Sequence, residues 1–266
     1  VASVDNNGNV TIHGAGTAII QITVAETDEY KATKKQVTII VTKSIAGWVV
    51  TDGKWQYRDE NGNFAVNTWK DIDGARYYFN QNGYMVSGWN SIDGNWYYFN
   101  NSGAMMTGIQ FISGSYYGLA SDGRMLTGWN IFDEIWYYFN PDGTAVHGWN
   151  SINGNWYFFD SEAKMLTGIQ NISGTYYGFD NSGAMMTGWG SINGNWYFFD
   201  SSGAAVHGWN SIGGAWYFFD SEAKMLEKEW LDNTYYFTEG GSMAIGWLQI
   251  DGFYYYFAGS GEKVCN

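Results

Sequence analysis

The stretch GWGSINGNWYFFDSSGAAVHGW, from Gly188 to Trp209, decides how this chain folds. Trp189 is followed 20 residues later by Trp209, and the same step links Trp69 to Trp89 and Trp129 to Trp149. Copies begin at Trp48, Trp69, Trp89, Ile109, Trp129, Trp149, Ile169, Trp189, Trp209, Trp230 and Trp247. Repetition at this length marks stacked units that are unstable alone. In the quoted copy, 189–192 reads as a strand. Asn193-Gly194 supplies the two positive-φ residues of a tight hairpin turn, and 195–199 is the return strand. Trp196 and Phe198 point to one face, Tyr197 and Phe199 to the other. A hairpin with apolar groups on both faces is marginal by itself, so each must pack against its neighbours.

Composition agrees. The chain of 266 residues holds 15 Trp, 21 Tyr and 16 Phe, too many for disorder despite 36 Gly. No apolar run is long enough to span a bilayer as a helix, and no signal peptide or lipidation motif is visible. The abrupt start suits a processed or cloned fragment. A formal charge of −13 with only 13 Lys and Arg argues against nucleic acid and anionic membranes and suits a cationic or neutral ligand. Cys265 is the lone cysteine, with no intrachain partner and no His/Asp set beside it.

Residues 1–44 lack Trp and lack the repeat. Strands are predicted over 9–13, 17–24 and 36–42, rich in Val, Ile and Thr, with Ser44-Ile45-Ala46 as the joint to a second domain over 45–266. Within that array a longer period is superposed: Met105, Met165 and Met225 are 60 residues apart, as are Ile109 and Ile169, and His147 and His207. A superhelix with about three hairpins per turn produces such phasing; duplication of a 60-residue block produces it equally.

No nucleophile, base and orienter recur together. His147 and His207 occupy a slot filled elsewhere by Thr107, Thr187 or Ser87, which suits a surface polar group. Asp160, Asp180, Asp200 and Asp220 follow the aromatic strand and read as turn formers. DNNGN at 5–9 and DENGN at 59–63 lack the later Glu of a calcium loop. The sequence carries no metal-ligand set, P-loop or dinucleotide fingerprint, and no cofactor is expected. What recurs is aromatic. Phe199, Phe219 and Tyr197 suit a core; Trp149 and Trp156, on paired strands, suit either core or a cage whose ring faces attract a cation.

The repeat GWNSIDGNWYYFNNSGAMMTG at 88–108 resembles the choline-binding, or cell-wall-binding, repeat of Gram-positive surface proteins, over residues 47–257. The stretch VDNNGNVTIHGAGTAIIQITVAET with YKATKKQVTIIVTK resembles the C-terminal part of a bacterial Ig-like domain. The resemblance implies an all-β chain: a left-handed β-solenoid of stacked hairpins, about three per turn, preceded by a partial Ig-like β-sandwich segment. Strands completing the sandwich would lie upstream, and the incomplete segment offers a surface for association. It also implies choline cages between successive hairpins, each made of the G-W Trp, the motif Trp, an aromatic of the next unit and its Met. Carried over, these are Trp89, Trp96, Tyr117 and Met125; Trp129, Trp136, Phe158 and Met165; Trp149, Trp156, Tyr177 and Met185; Trp189, Trp196, Phe218 and Met225; and Trp209, Trp216, Tyr236 and Met243. Which following aromatic faces each cage stays open by one register step.

Departures from the pattern matter. Ile109 and Ile169 replace the first Trp, Tyr116 and Tyr176 the second, and Gly118 and Gly178 interrupt the aromatic run, so a ligand-poor face is expected there or a groove for another ligand. Ala65, Ala145 and Ala205 are read as replacing the Met, and Tyr77 as replacing the motif Trp after Trp69. The functional expectation is a non-catalytic module that anchors a secreted protein to choline-decorated teichoic acid or a related polymer of the bacterial cell wall. A carbohydrate-binding module for α-glucan or host glycans, and a structural adhesin stalk, are the alternatives; any hydrolase would lie in an upstream domain.

Overall fold

The computed structural model describes residues 2–42 and 46–265, and its regular elements are all strands. Ser44 and Ile45 of the expected joint lie outside the described residues. The chain falls into two compact units, Val1–Thr107 with Leu119–Met125, and Gly108–Gly118 with Leu126–Asn266.

The first unit begins with two separate antiparallel ladders. Ala2–Val4 pairs with Val10–Ile12, and Gly16–Val24 pairs with Thr33–Val41. The three strands expected from the sequence overlap Val10–Ile12, Gly16–Val24 and Thr33–Val41, with Ala2–Val4 added. Ala18 is buried, whereas Ile19, Ile22, Val24 and Ile40 are exposed. Three repeat hairpins follow: Gly47–Thr51 with Lys54–Arg58, Thr68–Ile72 with Ala75–Phe79, and Gly88–Ile92 with Asn95–Phe99.

The second unit carries the same hairpin repeatedly. Gly148–Ile152 pairs with Asn155–Phe159, placing Trp149 opposite Phe158 and Ser151 opposite Trp156. Two residues close the turn, Asn153 at φ 53° and Gly154 at φ 86°. This is the conformation that a twisted hairpin selects and that Asn-Gly tolerates. Asp160 then ends the strand. Its Oδ1 accepts from the backbone N–H of Glu162 at 2.8 Å and of Lys164 at 2.9 Å. Asp180, Asp200 and Asp220 repeat the arrangement, so the turn-forming role expected of them is what they perform. The last hairpin, Gly246–Ile250 with Phe253–Phe257, gains a third strand, Lys263–Cys265.

The connector is what ties one hairpin to another. Met185 N–H donates to Trp156 O at 2.8 Å, in the preceding hairpin, while Met186 N–H donates to Gly178 O in its own. Met165 with Trp136, Met225 with Trp196 and Met243 with Trp216 repeat the first of these bonds. Within each unit the hairpins therefore stack in tandem as an all-β solenoid of repeats. In each unit the core is built from buried aromatic rings. Phe79 and Phe99 in the first unit, and Phe139, Phe159, Phe179, Phe199, Phe219, Phe237 and Phe257 in the second, are each at most 1 % exposed. Each such ring contributes about 1.5–3 kcal/mol of burial. Tyr197 joins them, as the alternation with Trp196 requires.

Candidate functional site

The two faces of a hairpin are unequal. Tyr157 and Phe159 point inward and are buried, while Trp156 points outward and is 48 % exposed. The outer face of one hairpin abuts the inner face of the next. Trp149 thus meets its own Trp156 edge-on at 6.4 Å and 80°, its cross-strand partner Phe158 at 5.2 Å, and then Tyr177 and Phe179 of the following hairpin at 4.8 and 5.7 Å. Phe179 closes the floor. Above it remains an open cleft of 350 Å³ lined by Trp149, Trp156, Tyr177, Met185 and Ser202. These include all four residues expected for this cage.

The same cleft recurs, with a register correction. At Trp189 it is 420 Å³ and lined by Trp196, Tyr217 and Met225, with Glu227 and Glu239 at its edge. At Trp209 it is 240 Å³ and lined by Trp216, Tyr235 and Met243, with Ser260. The third wall is Tyr217 rather than Phe218, and Tyr235 rather than Tyr236. Phe218 instead packs on Trp209 at 5.4 Å, and Tyr236 on Trp230 at 5.2 Å. At Trp129 the facing ring is Tyr157, at 4.9 Å, while Phe158 serves Trp149; Trp136 and Met165 hold their expected places. The reason is the two-residue strand period: only residues on the face of the buried Phe can reach the preceding Trp, and that face includes Tyr217 but not Phe218. Trp89 and Trp96 stand 6.5 Å apart at 82° in the first unit, where Met125 N–H donates to Trp96 O. Tyr117 belongs to the other unit.

One cleft was missed from sequence. Trp48, Trp55, Tyr77, Met85 and Ser102 line 310 Å³ in the first unit. The second strand there reads KWQYR, which hides the W-Y-Y-F signature, yet Trp48 and Trp55 keep the seven-residue step of Trp149 and Trp156. Tyr77 is therefore a third wall; the residue in the motif Trp slot after Trp69 is Arg76, across from Asp71. Likewise Phe64, bridged to Arg58, holds the first Met slot, and Ala65 lies one step beyond it.

The two Ile units are filled rather than grooved. Ile169 and Tyr176 pack against buried Tyr197, Phe199, Ala205 and Ala223, and Ile109 and Tyr116 against Tyr137, Phe139, Ala145 and Ala163. Burial raises the phenol pKa of both Tyr137 and Tyr197. The glycines make room for the core, not for a ligand. A Cβ on Gly118 would lie 2.5 Å from Phe139 Cζ, and one on Gly178 would lie 2.2 Å from Phe199 Cζ. A second exchange accompanies this. In open units the Met thioether lies against a connector glycine, as Met185 does on Gly203, where a Cβ would sit 2.3 Å from Sδ. Where the Met is Ala145 or Ala205, the glycine becomes Ala163 or Ala223, fully buried at φ 64° and 61°. Two methyl groups replace one thioether.

Charge near the clefts is sparse. At Trp189, Glu239 pairs with Lys228, whose hydrogen bond holds that carboxyl below its ordinary pKa. His147 and His207 each place Nδ1 near a backbone carbonyl, of Asp160 and Asp220, at 3.2 and 3.1 Å. Among the described residues no group of three or more His, Cys, Asp or Glu is placed to hold a metal, and no helix is long and apolar enough to cross a membrane.

Comparison with known proteins bears on these clefts. The family described as a choline-binding repeat matches residues 66–108, 86–126, 126–162, 146–188, 166–207 and 186–230, and that described as a putative cell wall binding repeat matches 245–263. Among solved structures, CbpJ from Streptococcus pneumoniae TIGR4 is similar, with 26 % identity and a TM-score of 0.56 over 92 % of this chain and 94 % of that one. Choline binding protein F from Streptococcus pneumoniae, solved in the presence of a tetrasaccharide-pentapeptide peptidoglycan analogue, is 30 % identical over 82 % of this chain and 93 % of that one, with a TM-score of 0.48. No curated protein sequence matches the chain.

Proposed function

The chain belongs to the choline-binding repeat family, and on that premise we propose that it is a non-catalytic module holding an exported protein to choline-bearing polymers of a bacterial cell wall. The observation that carries this reading is the open cleft between successive hairpins, walled by two indoles set edge-on, a phenol ring and a thioether. A quaternary ammonium needs no hydrogen bonds and is attracted by ring faces. Trp156 and Trp196 are left exposed although the tyrosine rings next to them in sequence, Tyr157 and Tyr197, are buried, which a purely structural role does not require. An overall charge of −13 favours a cationic decoration.

Each ring contributes about 0.5–2 kcal/mol toward a cation, opposed by the loss of translational freedom. One cleft therefore holds free choline with a Kd of roughly millimolar. Titration with choline, followed by tryptophan fluorescence and calorimetry, is expected to show saturable binding. No response at tens of millimolar, together with saturable binding of glucan oligosaccharides, overturns the reading in favour of a carbohydrate-binding module.

We assign 1–44 to the C-terminal part of an Ig-like domain and 45–266 to the binding array. The exposed Ile19, Ile22 and Ile40 of the first segment suit strands that expect a second layer. Residues 45–266 alone are expected to retain the full choline response; its loss would mean that the first segment belongs to the binding module.

A further inference from the structure

Among the described residues, two of the chain's own cations stand over tryptophans of the repeat. Arg76 Cζ lies 5.1 Å from the ring centroid of Trp69, and Lys263 Nζ lies 5.1 Å from that of Trp230. A third such contact, Lys54 over Tyr84 at 4.7 Å, involves no repeat tryptophan.

Apart from Arg76, the Trp69 position is built like the open cleft at Trp149. Trp69 meets Tyr97 at 5.0 Å and Phe99 at 5.8 Å, against 4.8 Å to Tyr177 and 5.7 Å to Phe179 at Trp149. Met105 N–H donates to Arg76 O at 2.8 Å, as Met185 N–H does to Trp156 O. Among the rings and the Met the difference lies in one slot, where a guanidinium replaces an indole; Asp71 and Asp122 also stand where the Trp149 repeat has Ser151 and Ser202. Asp71, its cross-strand partner, faces Arg76 Nε at 3.7 Å. At Trp230 the change is in the other variable slot. Lys263 pairs with Phe257 as Met165 does with Phe159, and its N–H donates to Thr234 O as Met165 N–H does to Trp136 O. Its ammonium reaches the Trp230 ring and also donates to Asn233 Oδ1 at 3.2 Å.

We propose that Arg76 and Lys263 are resident cations that close the Trp69 and Trp230 positions to quaternary ammonium ligands. The proposal rests on the reading that the open clefts take such a ligand, and it deepens it: the side chain at the motif Trp slot or the Met slot decides, cleft by cleft, whether an external cation is accepted. A guanidinium is always charged and favours aromatic faces. An incoming cation would lose the face that Arg76 occupies and would meet a like charge close by. At Trp230 the charge comes from the Met slot, and the second indole is missing as well, because the shortened hairpin places Thr234 where other units carry Trp.

The test is a set of crystals of the full chain, of Arg76→Trp and of Arg76→Ala, soaked in choline at a concentration that fills the Trp149 cleft. Equilibrium dialysis of choline against the same proteins accompanies it. Expected are choline beside Trp149 in all three and none beside Trp69 or Trp230 in the unsubstituted chain. Arg76→Trp gains choline beside Trp69 and about one further equivalent in dialysis. Arg76→Ala, which removes the charge without rebuilding the wall, shows partial occupancy there. Choline beside Trp69 in the unsubstituted chain, with Arg76 swung aside, overturns the proposal. So does a Trp69 position that stays empty in both variants while Trp149 is filled. An empty Trp149 cleft throughout overturns the choline-binding reading itself, and this proposal with it. Filling at Trp149 also reports that each variant has folded.

Discussion

Trp156 and Phe159 lie three residues apart on one strand and do opposite work. The Phe is 1 % exposed and the Trp 48 %. Trp156→Ala is expected to weaken choline at its own cleft about tenfold or more, as befits the loss of a cation–π wall, while thermal unfolding moves by no more than a degree or two. Phe159→Ala is expected to cost about 3–5 kcal/mol, visible as an early melting phase. Similar losses of stability in both variants would show that the exposed indole is structural. The paired alanines make a second test. Ala205→Met drives a thioether against the buried Ala223 methyl group and is expected to destabilise by about 1–3 kcal/mol. Adding Ala223→Gly restores the Met-on-Gly arrangement seen at Met185 and Gly203. The double variant should therefore be more stable than the single one, with a coupling of about 0.5–3 kcal/mol measured by denaturant unfolding. Strict additivity would mean that the two sites do not share a volume.

The hairpin and its connector are the elements on which each cleft depends. The Asn153-Gly154 turn has no neighbour within 4 Å of a Cβ on Gly154, so only its φ of 86° opposes a side chain. Gly154→Ala is expected to destabilise by about 1–2 kcal/mol and to loosen choline binding at Trp149; unchanged stability would refute the turn assignment. The connector turns predict acid sensitivity. Asp200 is held below the ordinary aspartate range, first by the Ser202 hydroxyl, and Asp142 by that of Thr144. A carboxyl whose folded pKa is depressed contributes stability that is complete above its unfolded value near 4. That contribution is lost as pH falls through the lower folded value. The melting temperature is thus expected to be level from pH 7 to about 5 and to fall below about 4. Asp200→Asn should flatten part of that fall, and an unaltered profile would remove Asp200 from its cause.

For the whole molecule, the consequence of repetition is addition. Stability in a repeat array is close to a sum of unit and neighbour terms, and binding at several weak clefts compounds through effective concentration. Choline displayed on a polymer is therefore expected to bind about 100-fold more tightly than free choline, or better. Disabling the Trp149 and Trp189 clefts together should cost the polymer far more affinity than it costs free choline at the remaining clefts. Equal losses, measured by surface retention and by calorimetry, would show that the clefts act singly. The closed Ile109 and Ile169 units limit how many clefts a polymer can engage.

Much of this was legible in the sequence, because hairpin formation is local. The 20-residue step, the Asn-Gly turns, the Asx turns and the alternation that buries Phe199 all follow from near neighbours along the chain. The clefts were legible only in part. Trp149, Trp156, Tyr177 and Met185 line one cleft as the sequence implies, but Phe158, Phe218 and Tyr236 each stand one residue beyond the facing rings Tyr157, Tyr217 and Tyr235, because the facing wall comes from another hairpin and its face is set by stacking. Tertiary packing alone decided two further features. Phe139 and Phe199 occupy the room left by Gly118 and Gly178, and Ala163 and Ala223 take up the volume missing at Ala145 and Ala205. Each depends on which side chains from separate repeats share a space, and one strand's pattern carries no record of the volume its neighbour leaves empty.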